Sequence, residues 1–252
     1  SLCWQWYLRL LRRELRRPFC AALCIWVAGG IAAARSAEPL PEMALDARGA
    51  AVSGLSSGAY MAVQRHVAFS KAIAGAGVVA GGPFLCAEGK VMLALHRCMA
   101  TTGGLPTVKS LLQQTQALAD FGHIDPLGGL AGARVYLFSG TRDWIITRPV
   151  MDAARDFYEQ AGVQPAYLKY VTHVPAGHGF PTAAAGNRCQ ASAEPFINDC
   201  GFDLAGDMLN HLHGPLTPPG EMDQARLFTF DQIEFLANPV PHGLADLGFV
   251  YI

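Results

Sequence analysis

Charged side chains are scarce in this sequence. Only 15% of its 252 residues are Asp, Glu, Lys or Arg, whereas 51% are hydrophobic. That composition argues against a disordered chain, because disorder goes with low hydrophobicity and high charge, and it supplies enough apolar side chains for a large core. The formal net charge is −1, and the basic groups are concentrated near the N-terminus. Nothing in this balance indicates nucleic-acid binding.

The sequence also lacks tightly spaced cysteine pairs, internal repeats and low-complexity tracts. Without C-x-x-C pairs, a zinc site is not expected. Four of the cysteines lie beyond residue 37, namely Cys86, Cys98, Cys189 and Cys200. An even number suits disulfide formation in an oxidising compartment. Four cysteines allow three pairings, and we favour the local ones, Cys86–Cys98 and Cys189–Cys200.

Residues 1–37 have the pattern of an export signal. A basic segment from Arg9 to Arg17 precedes an apolar stretch from Phe19 to Ala34, which ends in an A-x-A-like cleavage site. A membrane anchor is the alternative, but the apolar stretch is short for the roughly 20 residues that span a bilayer. We therefore expect residues 38–252 to form one secreted domain, extracellular or periplasmic, with no stable membrane association.

Strand and helix patterns alternate along the chain. Short apolar or strand-like runs occupy 49–53, 74–80, 134–139 and 166–174, and helices are predicted at 59–69, 108–118, 149–161 and 204–212. This alternation is typical of an α/β fold with a mostly parallel sheet and flanking helices.

The pattern G-x-S-x-G occurs once, as Gly54-Leu55-Ser56-Ser57-Gly58. It places a serine on a tight turn between a strand and a helix, with its hydroxyl exposed. Both glycines are expected to relieve crowding in the turn. The helix that follows directs its N-terminus at the serine, which favours negative charge there, and the Ser57 N–H is the expected oxyanion donor. The alternative is a turn selected only for its conformation.

A serine nucleophile requires a general base and a carboxylate that orients the base. Asp143 follows the strand RVYLFS, and His178 follows the strand YLKYVTHV, so the chain order is nucleophile, acid, histidine, as in α/β-hydrolases. Because such strands end at one edge of a sheet, we predict that Ser56, Asp143 and His178 form a catalytic triad. His173 is the rival base, but it is expected within the strand, and Asp143 could instead cap the next helix.

Several blocks of the sequence carry a family resemblance: GLSSGAYMAVQRHVAFS, GAGVVAGGPFLCAEG, FSGTRD, PAGHGFPT, PFINDCGFDLAGDMLNHLHGPL and FDQIEF. In this order they resemble the catalytic domain of extracellular polyhydroxybutyrate depolymerases. The most similar variety has its serine block near the mature N-terminus and a circularly permuted α/β-hydrolase order. The resemblance covers most of the chain from about Arg48 onward. It implies the same triad and the hydrolysis of polymeric or oligomeric 3-hydroxyalkanoate esters.

The resemblance further implies an acyl-enzyme mechanism without a metal or organic cofactor, with a polyester or a small ester as the partner. Tyr60 and Trp144 are the expected substrate-binding residues, although Trp144 would serve equally to cover the Asp143–His178 pair. Two other classes stay open: a secreted carboxylesterase for small or aromatic esters, and an inactive, truncated relative that binds polymer. A peptidase would share the triad.

The sequence departs from the family at its C-terminal end. Relatives continue past the equivalent of Gly248-Phe249-Val250-Tyr251 into a cysteine-containing segment with an H-G-C-like block, which resembles a second oxyanion donor, whereas this sequence ends at Ile252. Residue 1 is Ser rather than Met. We therefore expect a C-terminally truncated fold with weak or no activity, because losing one oxyanion donor costs roughly 3 kcal/mol and missing strands would uncover their neighbours.

Overall fold

The computed structural model describes residues 39–43, 49–235 and 245–252. The export signal predicted at 1–37 lies outside the described residues. Among the residues that are described, no helix is both long and apolar enough to cross a bilayer. The chain divides into two compact units, one of Glu42–Met222 and one that includes Asp223–Ile252. The single domain expected over 38–252 stays a prediction.

A parallel sheet forms the centre of the larger unit. Its strands are β1 (Ala50–Leu55), β2 (Ile73–Val79), β3 (Arg134–Phe138) and β4 (Leu168–Val171). They lie in the order β1-β2-β3-β4, and each neighbouring pair is parallel. The carboxyl ends of the strands therefore meet at one edge. This sheet confirms the predicted α/β class with a mostly parallel sheet and flanking helices.

Helices connect the strands in the order that the sequence indicated. They are α1 (Ser57–Ala68), α2 (Val91–Arg97), α3 (Val108–Asp120), α4 (Arg148–Gln160) and α5 (Leu204–His213), with short 3-10 helices at 101–103, 127–132 and 165–167. Only α2 has no counterpart among the predicted helices. None of its residues is buried, and its apolar residues 91–95 run consecutively instead of at the helical spacing that predicts an amphipathic helix.

The strand β3 separates two hydrophobic cores. Val135 and Leu137 pack with buried side chains of α1, α3 and α4, whereas Tyr136 and Phe138 pack with buried side chains of α5. Successive side chains of a strand point to opposite faces of its sheet. Helices therefore cover both faces of this sheet, and the strand ends lie between these layers.

The strand β4 is shorter than predicted. A 3-10 helix that contains Pro165 occupies residues 165–167, and the strand pairing ends at Val171. The expectation that His173 lies within this strand is therefore wrong, since the residue follows the strand and is exposed. Its ring lies edge-on to Phe202, with 6.1 Å between the ring centroids.

A small sheet follows β4 and has no counterpart in the predicted elements. Its strands are β5 (Phe180–Thr182), β6 (Asn187–Arg188) and β7 (Ile197–Asp199), in the order β5-β7-β6. A disulfide between Cys189 and Cys200 joins the residues that follow β6 and β7. A second disulfide, Cys86–Cys98, brackets α2. Both are the local pairings that we favoured, and each stabilises the fold by about 3 kcal/mol in the chain-entropy model.

The smaller unit contains a two-stranded antiparallel ribbon. Its strands are β8 (Leu227–Asp231) and β9 (Leu247–Tyr251). Phe228 and Phe249 are exposed on this ribbon. The ribbon was not among the predicted strands.

His66 is a fully buried histidine in the core between α1 and α4. Its Nδ1 atom lies 3.1 Å from the Tyr158 hydroxyl, and its Nε2 atom has no hydrogen-bond partner within the described part of the chain. Burial lowers the pKa of His66 from 6.5 to about 4, because the imidazolium would lose its hydration. The ring is therefore neutral in the folded protein at neutral pH.

We expect His66 to make the protein less stable in mild acid. Between pH 6.5 and about 4 the unfolded chain binds a proton at His66 that the folded chain excludes. The free energy of unfolding should therefore decrease by about 2 kcal/mol between about pH 7 and pH 5. Urea unfolding of wild type and His66→Gln at both pH values measures this difference, which the variant should lack. His213 is exposed, so the control variant His213→Gln should show the same pH dependence as wild type. If His66→Gln also lost as much stability between about pH 7 and pH 5 as wild type does, the prediction would be contradicted.

Candidate active site

Ser56 occupies the turn between β1 and α1. Its backbone has φ 57° and ψ −119°, a conformation that side-chain-bearing residues rarely adopt and that costs on the order of 1–3 kcal/mol. The Ser56 N–H donates a 2.9 Å hydrogen bond to the carbonyl of Val79 at the end of β2. The sheet thus holds the serine at its carboxyl edge in a strained turn.

Gly54 is required by the close approach of β1 to the start of α1. A Cβ atom at this position would lie 2.3 Å from the carbonyl carbon of Gly58, whereas a Cβ atom on Gly58 itself would meet no atom within 4 Å. The expectation that both glycines relieve crowding holds for Gly54 and is wrong for Gly58. The turn therefore requires glycine at position 54, because the backbone of Gly58 leaves no room for a side chain there.

The first N–H groups of α1 are available to bind an anion. The Ser56 side chain makes no cap hydrogen bond to the helix, and the first backbone bond of the turn runs from the Tyr60 N–H to the Ser56 carbonyl. The N–H groups of a first helical turn have no intrahelical acceptors, and the helix dipole adds partial positive charge there. The Ser57 N–H, which is the expected oxyanion donor, is the first of these groups.

Asp143 lies on the loop after β3 with its side chain only 2% exposed. Its Oδ1 atom accepts hydrogen bonds from the N–H groups of Ile145 (2.9 Å) and Ile146 (3.0 Å). Its Oδ2 atom lies 2.9 Å from Nδ1 of His178. The two backbone bonds fix the carboxylate and leave one oxygen directed at the imidazole.

The His178 imidazole is 6% exposed and follows β4. Since a carboxylate accepts hydrogen bonds, Nδ1 is the donor in the bond to Asp143, and the lone pair of a neutral ring is then on Nε2. A histidine in this tautomer is suited to accept a proton from a hydroxyl group. Asp143 and His178 are therefore equipped as an acid–base pair.

The loops after β3 and β4 run side by side, which brings Asp143 to His178. The Thr141 N–H donates to the Val174 carbonyl at 2.9 Å, and the Arg142 N–H donates to the Ala176 carbonyl at 3.0 Å. These bonds continue the pairing of β3 with β4 beyond the strands. The contact between acid and base thus follows from the register of the sheet.

The expected substrate-binding residues differ in exposure. The Tyr60 hydroxyl donates a hydrogen bond to the Cys98 carbonyl, and burial raises the pKa of Tyr60 well above its usual value. Trp144, directly after Asp143, is 69% exposed. Tyr60 therefore has its polar atom engaged within the protein, whereas the Trp144 ring is free to contact a ligand.

Metal-binding clusters of His, Cys, Asp and Glu are absent from the described ranges. Two side chains that contact the histidine segment were missed from the sequence, namely Ser192 and Asn198. The His178 N–H donates to Ser192 Oγ at 2.9 Å, and Asn198 is fully buried. The only signal for them was their position between Cys189 and Cys200.

The parallel sheet, its flanking helices and the serine turn after the first strand define an α/β-hydrolase-like protein. No protein-family model matches the chain. Over 234 residues it is 44% identical to a poly(3-hydroxybutyrate) depolymerase of Delftia acidovorans, covering 92% of this chain and 45% of that protein. It is 32% identical over 235 residues to a polyhydroxybutyrate depolymerase of Talaromyces funiculosus, covering 90% of this chain and 66% of that protein.

Solved structures agree with these relatives. The crystal structure of a PHB depolymerase from Penicillium funiculosum matches with a TM-score of 0.74 and 28% identity, over 85% of this chain and 66% of that one. A serine-to-alanine PHB depolymerase complexed with an R3HB trimer matches with a TM-score of 0.74 and 29% identity. The chain belongs to the polyhydroxybutyrate depolymerase family, as its sequence blocks indicated. It spans between about half and two thirds of the length of the curated relatives that it matches. The circular permutation stays a prediction.

The two glycines of the serine turn provide a matched pair of variants. Gly54→Ala should destabilise the protein by about 3 kcal/mol or more, because its Cβ would overlap backbone atoms that have no room to shift. Gly58→Ala should be neutral or stabilising by up to about 1 kcal/mol, because alanine favours the helix. Thermal unfolding followed by circular dichroism measures both. Equal stabilities of the two variants would refute this account of the turn.

Proposed function

We propose that this chain is the catalytic part of a secreted serine esterase that hydrolyses poly(3-hydroxybutyrate) or related hydroxyalkanoate esters. The observation that carries the proposal is the buried Asp143–His178 hydrogen bond at the sheet edge where Ser56 also lies. The names of the relatives supply the substrate class. Two disulfides and the export pattern of residues 1–37 support secretion.

In the proposed first step, Ser56 Oγ attacks the ester carbonyl carbon and its proton moves to Nε2 of His178. Asp143 keeps the proton on Nδ1 and stabilises the imidazolium. The oxyanion receives a hydrogen bond from the Ser57 N–H at the positive end of α1. When the tetrahedral intermediate collapses, the ester C–O bond breaks and Nε2 gives its proton to the departing alcohol oxygen.

The second step releases the acyl group from Ser56. A water molecule gives a proton to Nε2 of His178 and attacks the acyl carbon. The bond to Ser56 Oγ then breaks, Oγ takes the proton back, and a hydroxyalkanoic acid or a shortened oligomer leaves. In each of the two steps His178 acts first as base and then as acid. Proton transfer therefore requires both the tautomer with its proton on Nδ1 and an imidazole orientation that directs Nε2 at the reacting oxygen.

A fluorophosphonate probe tests the nucleophile. We expect covalent labelling at Ser56, because the probe reacts with a serine activated by a general base. Ser56→Ala and His178→Ala should each abolish labelling. The control variant Ser53→Ala, which changes an exposed serine of β1, should be labelled like wild type. Peptide mapping of the labelled chain locates the modified serine. Labelling of another serine, or labelling retained in a folded His178→Ala variant, would contradict the triad assignment.

Substitution of Trp144 tests the polyester assignment. In the proposed function its exposed ring packs against the chain of a hydroxybutyrate oligomer, with Tyr60 as part of the wall behind Ser56. Trp144→Ala should raise KM for a 3-hydroxybutyrate trimer about tenfold, because an apolar contact worth about 1.4 kcal/mol is lost. Its kcat for a short acetyl ester should stay near wild type.

The control for Trp144→Ala is Phe121→Ala, which removes an aromatic ring of similar exposure at the end of α3. That variant should not change KM for the trimer. If both variants had the same kcat and KM for the trimer, Trp144 would not be a substrate-binding residue. A wild-type chain that hydrolyses small aromatic esters but neither the trimer nor a polyester film would instead favour a carboxylesterase.

A further inference from the structure

The backbone of the His178 segment is held by a loop outside the main sheet. The Gly177 N–H donates to the Cys189 carbonyl at 2.8 Å, and the His178 N–H donates to Ser192 Oγ at 2.9 Å. Both acceptors belong to residues 189–192, which follow β6. The segment that carries His178 is thus hydrogen-bonded to the loop after β3 through Ala176 and to residues 189–192 through Gly177 and His178.

Asn198 in turn holds the loop 189–192. Its Nδ2 atom donates to the carbonyls of Cys189 (3.1 Å) and Ala191 (2.9 Å), and the residue is fully buried in β7. Its amide also lies against Gly179, where an added Cβ would be 2.6 Å from Nδ2. One buried side chain therefore touches both the loop and the residue after His178.

Two further contacts restrain the same region. The Cys189–Cys200 disulfide joins the loop to the end of β7. The Phe196 ring stands edge-on to the His178 imidazole, with 6.2 Å between centroids and 78° between the planes. The loop, β7 and the imidazole consequently form one packed group beside Asp143.

We infer that Ser192 is a positioning residue for His178, and that Asn198 acts behind it by holding the loop on which Ser192 lies. This inference rests on the proposed function, in which His178 is the general base. Ser192 touches no reacting atom. Its hydroxyl fixes the backbone from which the imidazole extends, and so sets the direction of Nε2 while Asp143 sets the tautomer.

The physical reason is the steep dependence of proton transfer on geometry. Without the Ser192 hydroxyl, the buried His178 N–H loses its acceptor, which favours a shift of the backbone toward water or another acceptor. A displacement on the order of 1 Å at a catalytic group lowers rates by up to about a hundredfold. Substrate binding does not use this bond, so the loss should fall on kcat.

Three variants test the inference. Ser192→Ala removes the acceptor, Ser192→Thr keeps a hydroxyl at the same place, and Ser70→Ala is the control, because Ser70 Oγ also makes a single bond to backbone, at 3.1 Å to the Pro126 carbonyl. The measurements are kcat and KM for a soluble 3-hydroxybutyrate ester and the rate constant for fluorophosphonate labelling of Ser56. Amide hydrogen exchange across 176–180 reports the bond itself.

For Ser192→Ala we expect kcat and the labelling rate to fall roughly tenfold with KM unchanged, and exchange across 176–180 to accelerate. Ser192→Thr should recover most of the rate, which loss of stability alone would not explain. Ser70→Ala should leave all four quantities at wild-type values. Unchanged exchange or an unchanged labelling rate in Ser192→Ala would overturn the inference.

The proposed function and this inference fail in different ways. Absence of Ser56 labelling in wild type, or its persistence in His178→Ala, would refute the proposed function. Labelling that depends on His178 but is the same in Ser192→Ala and wild type would refute only the role of Ser192. A fall in kcat that Ser192→Thr does not restore would also count against the hydroxyl as the positioning group.

Discussion

The hydrogen bond between Asp143 and His178 joins the segments that follow β3 and β4 at the carboxyl edge of the sheet. An aspartate side chain that is 2% exposed is stable only when its oxygens are hydrogen-bonded. Two backbone N–H groups on its own loop and the imidazole meet that need. The imidazole reaches Asp143 because the loops after β3 and β4 stay paired beyond the strands. Register, burial and site chemistry thus depend on one another.

Much of this site follows from the sequence because its residues lie at strand ends. The pattern RVYLFS predicts a buried strand, and β3 carries it with alternating side chains in two cores. A residue that follows such a strand in a parallel sheet lies at the carboxyl edge. The positions of Asp143 and His178 were therefore predictable, as was the turn that holds Ser56. The contact between Asp143 and His178 was a consequence of topology.

The group that holds His178 from outside the sheet was not predictable in the same way. The strands β5, β6 and β7 are two or three residues long, too short for any periodic pattern. Ser192 accepts one hydrogen bond and the Asn198 side chain donates two, and all three depend on the path of the chain between two disulfide-bonded cysteines. The different space around Gly54 and Gly58 likewise depends on how closely the end of β1 approaches the start of α1. Periodicity carries information on regular elements and little on such contacts.

The strained backbone of Ser56 requires compensation from its neighbours. A conformation that costs on the order of 1–3 kcal/mol persists only if the surrounding structure determines it. On one side β1 is paired with β2, and on the other α1 buries Ala59, Val63 and Val67 completely. Burying a valine side chain stabilises by about 1.5–3 kcal/mol, so α1 alone offsets the strain. The helix whose first N–H groups lie next to Ser56 therefore also helps to keep this serine in its strained turn, because its buried face anchors the start of α1 against the sheet.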